Sequence, residues 1–365
     1  MIKEEDAIEL LNSYNQTHIV NLLKKLDEVK KQELLKQIDK IDFGQIMELY
    51  DNTKKEIEIK ENKIESIGYL DKAKLTKEQK DEFDKLGEEI IKNGEYAVVT
   101  MAGGQGTRLG HNGPKGTFKL DVYGKGKYLF EILVDNLQEA NQKYNTIIPW
   151  YIMTSIENNK DTVEFLEKHN YFGYPKENVI IFTQSELPLV DVDGKLLISK
   201  DLKIKEASDG NGGTYSSLRA SGSLADMKER GIKWVFIGGV DNVLLKMAEE
   251  VDEDGELKYG ESHIMCNLYT IDAIEKASKE ILMYHSAFKK NSYIDEDGKE
   301  VVPTEPNSYK FESFIFDAFE FFDDIAILRG KREDDFAPVK NKEGVDSPKT
   351  AKELYEKYWN RQEKK

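Results

Sequence analysis

This 365-residue chain is nearly free of cysteine. Cys266 is the single one, so no disulfide bond can form within the chain, and a reducing, cytoplasmic setting is expected. The first residues are acidic where a secretory signal needs a basic start followed by an apolar stretch, so we expect no signal peptide. No apolar run approaches the ~18 residues of a membrane-spanning helix, which disfavours a membrane protein.

Positive charge is also in short supply. Lys and Arg number 53 against 69 Asp and Glu, which gives a formal net charge of −16. Nucleic acids and anionic membranes attract basic surfaces, so neither is expected as a partner. An anionic small ligand would need a local cluster of cations or backbone N–H groups, together with a divalent metal.

Proline and glycine-rich runs are missing from residues 1–93, which are rich in Lys, Glu, Ile and Leu. Leu22, Leu23, Leu26 and Val29 recur at the spacing of one helix face. We therefore predict an N-terminal region of amphipathic helices that pack on the rest of the chain.

Short apolar runs alternate with helical patterns after residue 94. Strands are expected at residues 96–101, 150–154, 179–182 and 234–237, and helices at 128–144, 161–169 and 216–229. Such alternation predicts an α/β fold with a mainly parallel sheet flanked by helices, whose ligands bind beyond the carboxyl ends of the strands. The alternation fades from about residue 284, and we divide the rest of the chain into 94–300 and a small C-terminal region, 301–365.

A glycine loop follows the first of these strands. Residues 101–110 read Met-Ala-Gly-Gly-Gln-Gly-Thr-Arg-Leu-Gly, and Lys115 follows after Pro114. Glycines let a backbone approach a ligand and turn its N–H groups toward phosphate oxygens, while Arg108 and Lys115 could neutralise a polyphosphate. The alternative is a tight strand-to-helix turn with incidental charges.

Two commoner phosphate loops do not fit this stretch. The chain contains no G-x-x-x-x-G-K-[ST] string, and Leu109 stands where the dinucleotide fingerprint needs its third glycine. A P-loop NTPase and a dehydrogenase are therefore disfavoured.

A carboxylate, Asp241, ends the last predicted strand on the same sheet edge as the glycine loop. Mg²⁺ prefers one or two carboxylates combined with phosphate oxygens and water, so this position suits a metal ligand. A capping residue at a strand–loop junction is the simpler alternative.

The glycine loop, with Pro114-Lys115-Gly116, resembles the signature loop of the UDP-sugar pyrophosphorylases, above all the eukaryotic-type enzymes for UDP-N-acetylglucosamine and UDP-glucose. Further motifs follow in the family's order, at residues 152–155, 171–173, 178–180, 184, 209–213, 240–242, 314–317 and 332–341. The resemblance covers residues 95–350. It implies a Rossmann-like, GT-A-like nucleotidyltransferase domain at 94–300 that joins UTP to a sugar 1-phosphate with Mg²⁺ or Mn²⁺.

Site roles also come from the resemblance. It makes Arg108, Lys115 and Lys340 catalytic and Asp241 the metal ligand. It assigns the nucleotide to Gly103, Gly104, Gln105, Gly106, Thr107, Gln184, Gly210 and Asn211, and the sugar to Asn211, Asn267, Phe314 and Phe316. Taken alone, the same residues also suit plainer roles: a helix cap at 209–213, a solvated Lys340, ordinary loop polarity at Gln184, and core packing for the two phenylalanines, whose alternation is typical of a strand face.

One departure from the family concerns the segment between Asn242 and Tyr259, which is shorter than in the resembled enzymes. His263 stands where the family has an asparagine, and Asn267 is the nearest replacement. Two alternatives to the uridylyltransferase therefore stay open: a nucleotidyltransferase that uses another NTP, and a nucleotide-sugar binding protein with reduced or lost catalysis.

Overall fold

The computed structural model describes residues 2–55, 68–245 and 263–362. Within these ranges the chain forms two compact units. Unit 1 comprises residues 2–55, 185–213 and 281–318, and unit 2 comprises residues 68–184, 214–245, 263–280 and 319–362. Among the described residues, no helix combines the length and the apolar composition that crossing a membrane requires.

The described helices and strands are numbered here in chain order. The α-helices are α1 (Glu4–Ser13), α2 (Thr17–Lys25), α3 (Glu28–Ile38), α4 (Phe43–Asn52), α5 (Lys77–Lys92), α6 (Leu129–Tyr144), α7 (Ile156–Lys168), α8 (Thr214–Ala220), α9 (Ser223–Glu229), α10 (Ile271–Ala277), α11 (Arg332–Asp335) and α12 (Pro348–Gln362). The strands are β1 (Leu70–Asp71), β2 (Tyr96–Met101), β3 (Lys119–Val122), β4 (Lys125–Tyr128), β5 (Trp150–Thr154), β6 (Val179–Thr183), β7 (Glu186–Pro188), β8 (Val190–Asp191), β9 (Glu206–Ser208), β10 (Trp234–Gly239), β11 (Cys266–Thr270), β12 (His285–Lys289), β13 (Tyr293–Ile294), β14 (Glu300–Val301), β15 (Ser308–Glu312) and β16 (Leu328–Arg329).

Unit 1 joins the N-terminal helices to segments that lie far along the chain. Leu11, Ile19 and Leu23 are fully buried in its core, together with Val190 and Phe311. The buried side chain of Gln16 accepts a hydrogen bond from the Leu196 N–H at 2.9 Å and donates one to the Gly194 carbonyl at 2.8 Å. A three-stranded antiparallel sheet in the order β12–β15–β8 completes the unit.

Unit 2 is built on a five-stranded sheet in the order β11–β10–β2–β5–β6. Strands β10, β2, β5 and β6 are parallel, and β11 runs antiparallel beside β10. All five residues of β5 are buried, as expected for a strand covered on both faces. The expectation of a mixed α/β fold with a mainly parallel sheet is thereby confirmed for this unit.

The chain order of these strands creates a switch point in the sheet. From β2 the chain moves outward to β5 and then β6, but β10 returns to the opposite side of β2. In parallel sheets, ligands bind outside the carboxyl ends of the strands where the winding direction reverses. That position lies between β2, which leads into the glycine loop, and β10, which leads to Asp241.

Two helix predictions need adjustment. The helix expected at 161–169 begins earlier, because Ser155 and Asn158 form a capping box at the start of α7. The single helix expected at 216–229 is two helices, α8 and α9, because Gly222 adopts a left-handed conformation with φ of 81° between them. A hairpin turn at residues 295–299 joins β13 to β14.

The compact units also differ from the three consecutive regions that the sequence suggested, 1–93, 94–300 and 301–365. Each unit combines segments distant in the chain, because pairings such as β8 with β15 and contacts such as Gln16 with Gly194 act over long sequence separations. The segment between Asn242 and Tyr259, which the sequence predicts to be shortened, lies outside the described residues from residue 246 to its end.

Candidate active site

The glycine loop begins where β2 ends in unit 2. The Ala102 N–H bonds to the Met153 carbonyl at 2.7 Å, which extends the parallel pairing with β5 by one residue. The Asn158 Nδ2 group on α7 donates to the Ala102 carbonyl at 3.0 Å. The start of the loop is therefore fixed to both a strand and a helix of the sheet layer.

The loop then folds back on itself. The Gly106 N–H bonds to the Gly113 carbonyl at 2.9 Å, and the Lys115 N–H bonds to the Gly104 carbonyl at 3.0 Å. Gly110 closes a single 3-10 turn at residues 107–109 with φ of 71°, a conformation that glycine adopts without strain. The two ends of the loop are held side by side, which brings Lys115 back beside Gly104.

Two other glycines pack closely against neighbouring side chains. A Cβ atom at Gly116 would overlap the ring of Phe130, which is fully buried. A Cβ atom at Gly103 would lie 2.9 Å from the Nε2 atom of Gln184, whose side chain is buried and whose N–H bonds to the Thr154 carbonyl. The predicted nucleotide residues Gly103 and Gln184 are thus in contact within unit 2.

Lys115 and Asp241 form an ion pair at the edge of the sheet where β2 and β10 end. The Lys115 Nζ atom lies 3.7 Å from Asp241 Oδ2, and their side chains are 19% and 24% exposed, so both are partly shielded from solvent but accessible to a ligand. The Val240 N–H bonds to the Met101 carbonyl at 3.1 Å, which continues the pairing of β10 with β2 up to Asp241. The cation and the carboxylate therefore meet at the switch point of the sheet.

Lys340 reaches the same edge from the C-terminal part of the chain. The Val339 N–H bonds to the Asp241 carbonyl at 2.8 Å, so Lys340 directly follows a residue that is paired with Asp241. The Lys340 side chain is half-buried, and its Nζ atom lies 5.1 Å from the centre of the Phe336 ring. The Phe336 ring therefore makes a cation–π contact with the Lys340 ammonium group.

Arg108 lies on the outer turn of the loop and is exposed. Within the described ranges it makes no ion pair, so its charge is available to an anion. Lys342 is a further cation that the sequence did not single out. Its Cδ atom would lie 3.9 Å from a Cβ atom at Gly110, which puts the Lys342 side chain against the loop.

The residues assigned to nucleotide and sugar in unit 1 form their own network. The Asn211 Oδ1 atom accepts a hydrogen bond from the Ile315 N–H at 2.9 Å, and the Ser313 N–H bonds to the Asp209 carbonyl at 2.7 Å. Gly210 has φ of 91° and no room for a Cβ atom against Ser313. Residues 209–212 are therefore held tightly to residues 313–315.

Phe314 and Phe316 do not alternate along a strand, contrary to the sequence prediction. Phe316 lies in a 3-10 helix, Ile315–Phe321, and stacks on Phe314 with ring centres 5.1 Å apart and planes at 15°. The Asp317 carboxylate stabilises this turn, because its Oδ2 atom accepts a hydrogen bond from the Phe314 N–H at 2.8 Å. Phe316 is 44% exposed, so the pair presents an aromatic face rather than a core contact.

Asp209 is a residue that sequence patterns missed. Its side chain is 3% exposed, its Oδ2 atom accepts a bond from the Ser185 hydroxyl at 2.6 Å, and its Oδ1 atom has no partner among the described residues. Burial of this carboxyl raises its pKa to about 6. Only the position of Asp209 at the start of the Asp-Gly-Asn-Gly-Gly motif, residues 209–213, hinted at a special role.

Asn267 lies on β11, opposite Ile237 of β10. Its Oδ1 atom is 2.7 Å from His263 Nε2, and its buried Nδ2 group has no partner in the part of the chain that the structure describes. Nearby Cys266 is largely desolvated, which raises the pKa of its thiol to about 12 and leaves it un-ionised at neutral pH. This environment disfavours Cys266 as a nucleophile.

No group of three or more His, Cys, Asp or Glu side chains within the described residues could enclose a metal ion. Asp241 offers a partly exposed carboxylate beside the loop. This donor set does not fit a zinc-type cage, but it fits a Mg²⁺ ion held mainly by phosphate oxygens and water. The described part of this edge combines backbone N–H groups, several cations and the Asp241 carboxylate, an arrangement suited to phosphate chemistry.

Comparisons with known proteins agree with this chemistry. The profile of the family described as UTP–glucose-1-phosphate uridylyltransferase matches residues 41–253. A probable UDP-N-acetylglucosamine pyrophosphorylase of Dictyostelium discoideum is 31% identical over 92% of this chain and 84% of its own length. The UDP-N-acetylglucosamine pyrophosphorylase of Saccharomyces cerevisiae is 33% identical over 76% of this chain and 71% of its own length.

A solved structure shows the same similarity in three dimensions. The uridine diphosphate N-acetylglucosamine pyrophosphorylase of Trypanosoma brucei, in complex with an inhibitor, aligns with a TM-score of 0.73 at 25% identity, over 97% of this chain and 84% of that one. The family profile covers more than half of the chain, and the resemblance found in the sequence is confirmed. The chain belongs to the UTP–glucose-1-phosphate uridylyltransferase family, the UDP-sugar pyrophosphorylases.

Proposed function

We propose that this protein transfers the uridylyl group of UTP to a sugar 1-phosphate, and that the preferred sugar is N-acetylglucosamine, with glucose as the second choice. Membership of the family supports the reaction, and the names of the Dictyostelium and yeast relatives support the sugar. The observation that carries the proposal is the approach of Lys115 to Asp241 beside the glycine loop, 3.7 Å apart at the switch point of the sheet.

The finer fold assignment is part of the same proposal. The strand order β11–β10–β2–β5–β6, with its reversal at β2, is compatible with a Rossmann-like, GT-A-like nucleotidyltransferase domain. We keep residues 94–300 as the catalytic region, with Lys340 contributed by the C-terminal region.

The reaction is a direct displacement at phosphorus. An oxygen of the sugar 1-phosphate forms a new bond to the α-phosphorus of UTP, and the bond from that phosphorus to the α–β bridging oxygen breaks. Pyrophosphate leaves with the bonding electron pair, and no covalent enzyme intermediate is required. Because both substrates are polyanions, the protein contributes mainly alignment and charge neutralisation.

The cations of the loop take distinct roles in this proposal. Lys115 bridges the α-phosphate and the incoming sugar phosphate, and Arg108 stabilises the charge that develops on pyrophosphate. The N–H groups of residues 103–107 other than that of Gly106, which bonds to the Gly113 carbonyl, add fixed dipoles that need no reorganisation during the reaction. Lys340 holds the phosphate of the sugar 1-phosphate.

Asp241 is the proposed ligand of Mg²⁺ or Mn²⁺. When bound, the ion would draw the phosphates together and offset their mutual repulsion. Asp241 contributes a hard oxygen donor, and its Oδ2 atom lies 3.7 Å from Lys115 Nζ, so the ion and the lysine would act on the same phosphates.

The remaining assignments concern the base and the sugar. We propose that Gln184 reads the uracil edge, that Gly210 and Asn211 contact nucleotide and sugar, and that Asn267, Phe314 and Phe316 contact the sugar. The exposed aromatic face of Phe316 suits the apolar face of a pyranose or an acetyl group.

A pyrophosphate-release assay tests the proposed function. UTP, dTTP and GTP are each combined with N-acetylglucosamine 1-phosphate, N-acetylgalactosamine 1-phosphate and glucose 1-phosphate in the presence of Mg²⁺. Release with UTP and N-acetylglucosamine 1-phosphate supports the proposal, and preference for another NTP overturns the choice of nucleotide. Calorimetric binding of UTP without pyrophosphate release from any sugar would instead identify a nucleotide-binding protein without catalysis.

A further inference from the structure

Asn242 directly follows the proposed metal ligand, and neither the family resemblance nor the mechanism gives it a role. We propose that Asn242 is a positioning residue that aligns Lys340 with Asp241 by clamping residues 335–339. The inference rests on the proposed function, because Asn242 affects catalysis through Lys340, whose proposed role is to bind the phosphate of the sugar 1-phosphate.

The Asn242 side chain is 3% exposed and uses both ends of its amide. Its Oδ1 atom accepts hydrogen bonds from the Ala337 N–H at 2.8 Å and from the Leu244 N–H at 3.2 Å. Its Nδ2 group donates to the Asp335 carbonyl at 2.9 Å. One amide therefore satisfies three backbone groups on two segments of unit 2, and its bonds to the Ala337 and Leu244 N–H groups are buried, a role that aliphatic side chains cannot replace.

A short antiparallel pairing reinforces the clamp. The Val339 N–H bonds to the Asp241 carbonyl at 2.8 Å, and the Val243 N–H bonds to the Ala337 carbonyl at 3.2 Å. Asn242 faces Pro338 between these two bonds. Proline has no N–H to donate, and in this register none is needed, so the sequence is compatible with the pairing.

The far end of the clamped segment is also anchored. The Asp335 carboxylate lies 3.4 Å from Lys72 Nζ, and both side chains are about 85% shielded from solvent, with exposures of 14% and 15%. After the clamp, the Lys340 and Asn341 N–H groups both bond to the Asp346 carbonyl, at 2.7 and 3.0 Å. Lys340 therefore follows a segment that is held at both ends, and Asn242 connects that segment to Asp241, its neighbour in the chain.

A double-mutant cycle tests this inference. Steady-state kinetics of UDP-sugar synthesis are measured for the wild type, Asn242→Ala, Lys340→Ala and the double variant. Displacement of a catalytic group by about 1 Å can lower the rate about 100-fold, so we expect Asn242→Ala to reduce kcat/KM for the sugar 1-phosphate by about 10- to 100-fold. In the Lys340→Ala background, the same substitution should lower it by less than about 3-fold, since interacting positions are not additive.

Controls separate positioning from general destabilisation. Asn141 on α6 also uses both ends of its amide, accepting from the Ile148 N–H and donating to Tyr174, so Asn141→Ala loses comparable bonds. It should lower thermal stability, leave kcat/KM within about 3-fold, and combine additively with Lys340→Ala. Asn242→Ser adds no charge beside Asp241, so it supplies the cycle if Asn242→Ala does not fold.

The outcomes distinguish the inference from the proposed function. If Asn242→Ala lowers kcat/KM by the same factor in the wild-type and the Lys340→Ala backgrounds, the inference is overturned. The proposed uridylyltransferase reaction is unaffected by that result. No activity in the wild type overturns the proposed function instead. Independently of any variant, hydrogen exchange of the wild-type protein should be slow at the Ala337 and Leu244 amides, and fast exchange at both would contradict the clamp.

Discussion

Lys115 Nζ lies 3.7 Å from Asp241 Oδ2, although the two residues follow different strands of the sheet. The relationship depends on backbone pairing and not on the ion pair alone, because β2 and β10 are hydrogen-bonded neighbours up to Met101 and Gly239. Both residues remain partly exposed, so an isolated ion pair of this kind contributes little to stability. Its value lies in presenting a cation and a carboxylate together to a phosphate ligand.

Replacement of Lys115 by alanine should reduce kcat by about 100- to 1,000-fold, the loss typical of removing one preorganised charge-stabilising group. Lys125→Ala is the matched control, because Lys125 is an exposed lysine on the β3–β4 hairpin outside the proposed machinery. Its kcat should be unchanged. Near-normal turnover of Lys115→Ala in the pyrophosphate-release assay would refute the role given to this lysine.

Gly116→Ala should destabilise the protein by about 1–3 kcal/mol, because the added methyl group overlaps the buried Phe130 ring and the core has no space to absorb it. Gly104→Ala is the steric control. A Cβ atom there meets nothing within 4 Å, and its φ is not positive, so stability should stay within about 0.5 kcal/mol. Thermal unfolding measures both, and equal melting temperatures would contradict the packing argument.

Asp209 should make the free energy of unfolding decrease as the pH rises. Its pKa is about 6 in the folded chain against 3.8 for the free side chain, so the folded state binds more protons between these values. Stability therefore falls as the pH rises from about 4 to about 6 and is level above that. Relative to the wild type, Asp209→Asn should gain about 2–3 kcal/mol in free energy of unfolding between pH 4 and pH 7. A difference that stays constant with pH would exclude the raised pKa.

Asp241→Asn should raise the Mg²⁺ concentration needed for half-maximal activity, because an amide oxygen is a weaker ligand for a hard divalent cation than a carboxylate. Turnover at saturating UTP is measured over a Mg²⁺ titration for the wild type and the variant. We expect a shift of about tenfold or more, in line with the loss of a metal-orienting partner. Superimposable titration curves would exclude Asp241 as a metal ligand.

Much of the sheet could be predicted from the sequence. Buried parallel strands are continuous apolar runs, and the runs at 96–101 and 150–154 match β2 and β5 residue for residue. The glycine loop was equally visible, because close backbone packing leaves few alternatives to glycine. Gly116 against Phe130 shows the physical reason.

Features that depend on long-range contacts could not be predicted in the same way. The turn that stacks Phe314 on Phe316 contains a hydrogen bond from the Phe314 N–H to the Asp317 carboxylate. The alternation of the two phenylalanines in the sequence does not predict this bond. The clamp of Asn242 on residues 335–337 joins positions that no local pattern relates. The desolvation of Asp209 likewise arises only once the surrounding segments are assembled.

The most direct test of the account follows the α-phosphate itself. The protein is incubated with UTP labelled at the α-phosphorus, N-acetylglucosamine 1-phosphate and Mg²⁺, and the products are separated from the protein. The account predicts that the label appears in UDP-N-acetylglucosamine in amounts equal to the pyrophosphate released, with none attached to the protein. Label that stays in UTP, appears as UMP or is covalently bound to the chain would contradict direct uridylyl transfer.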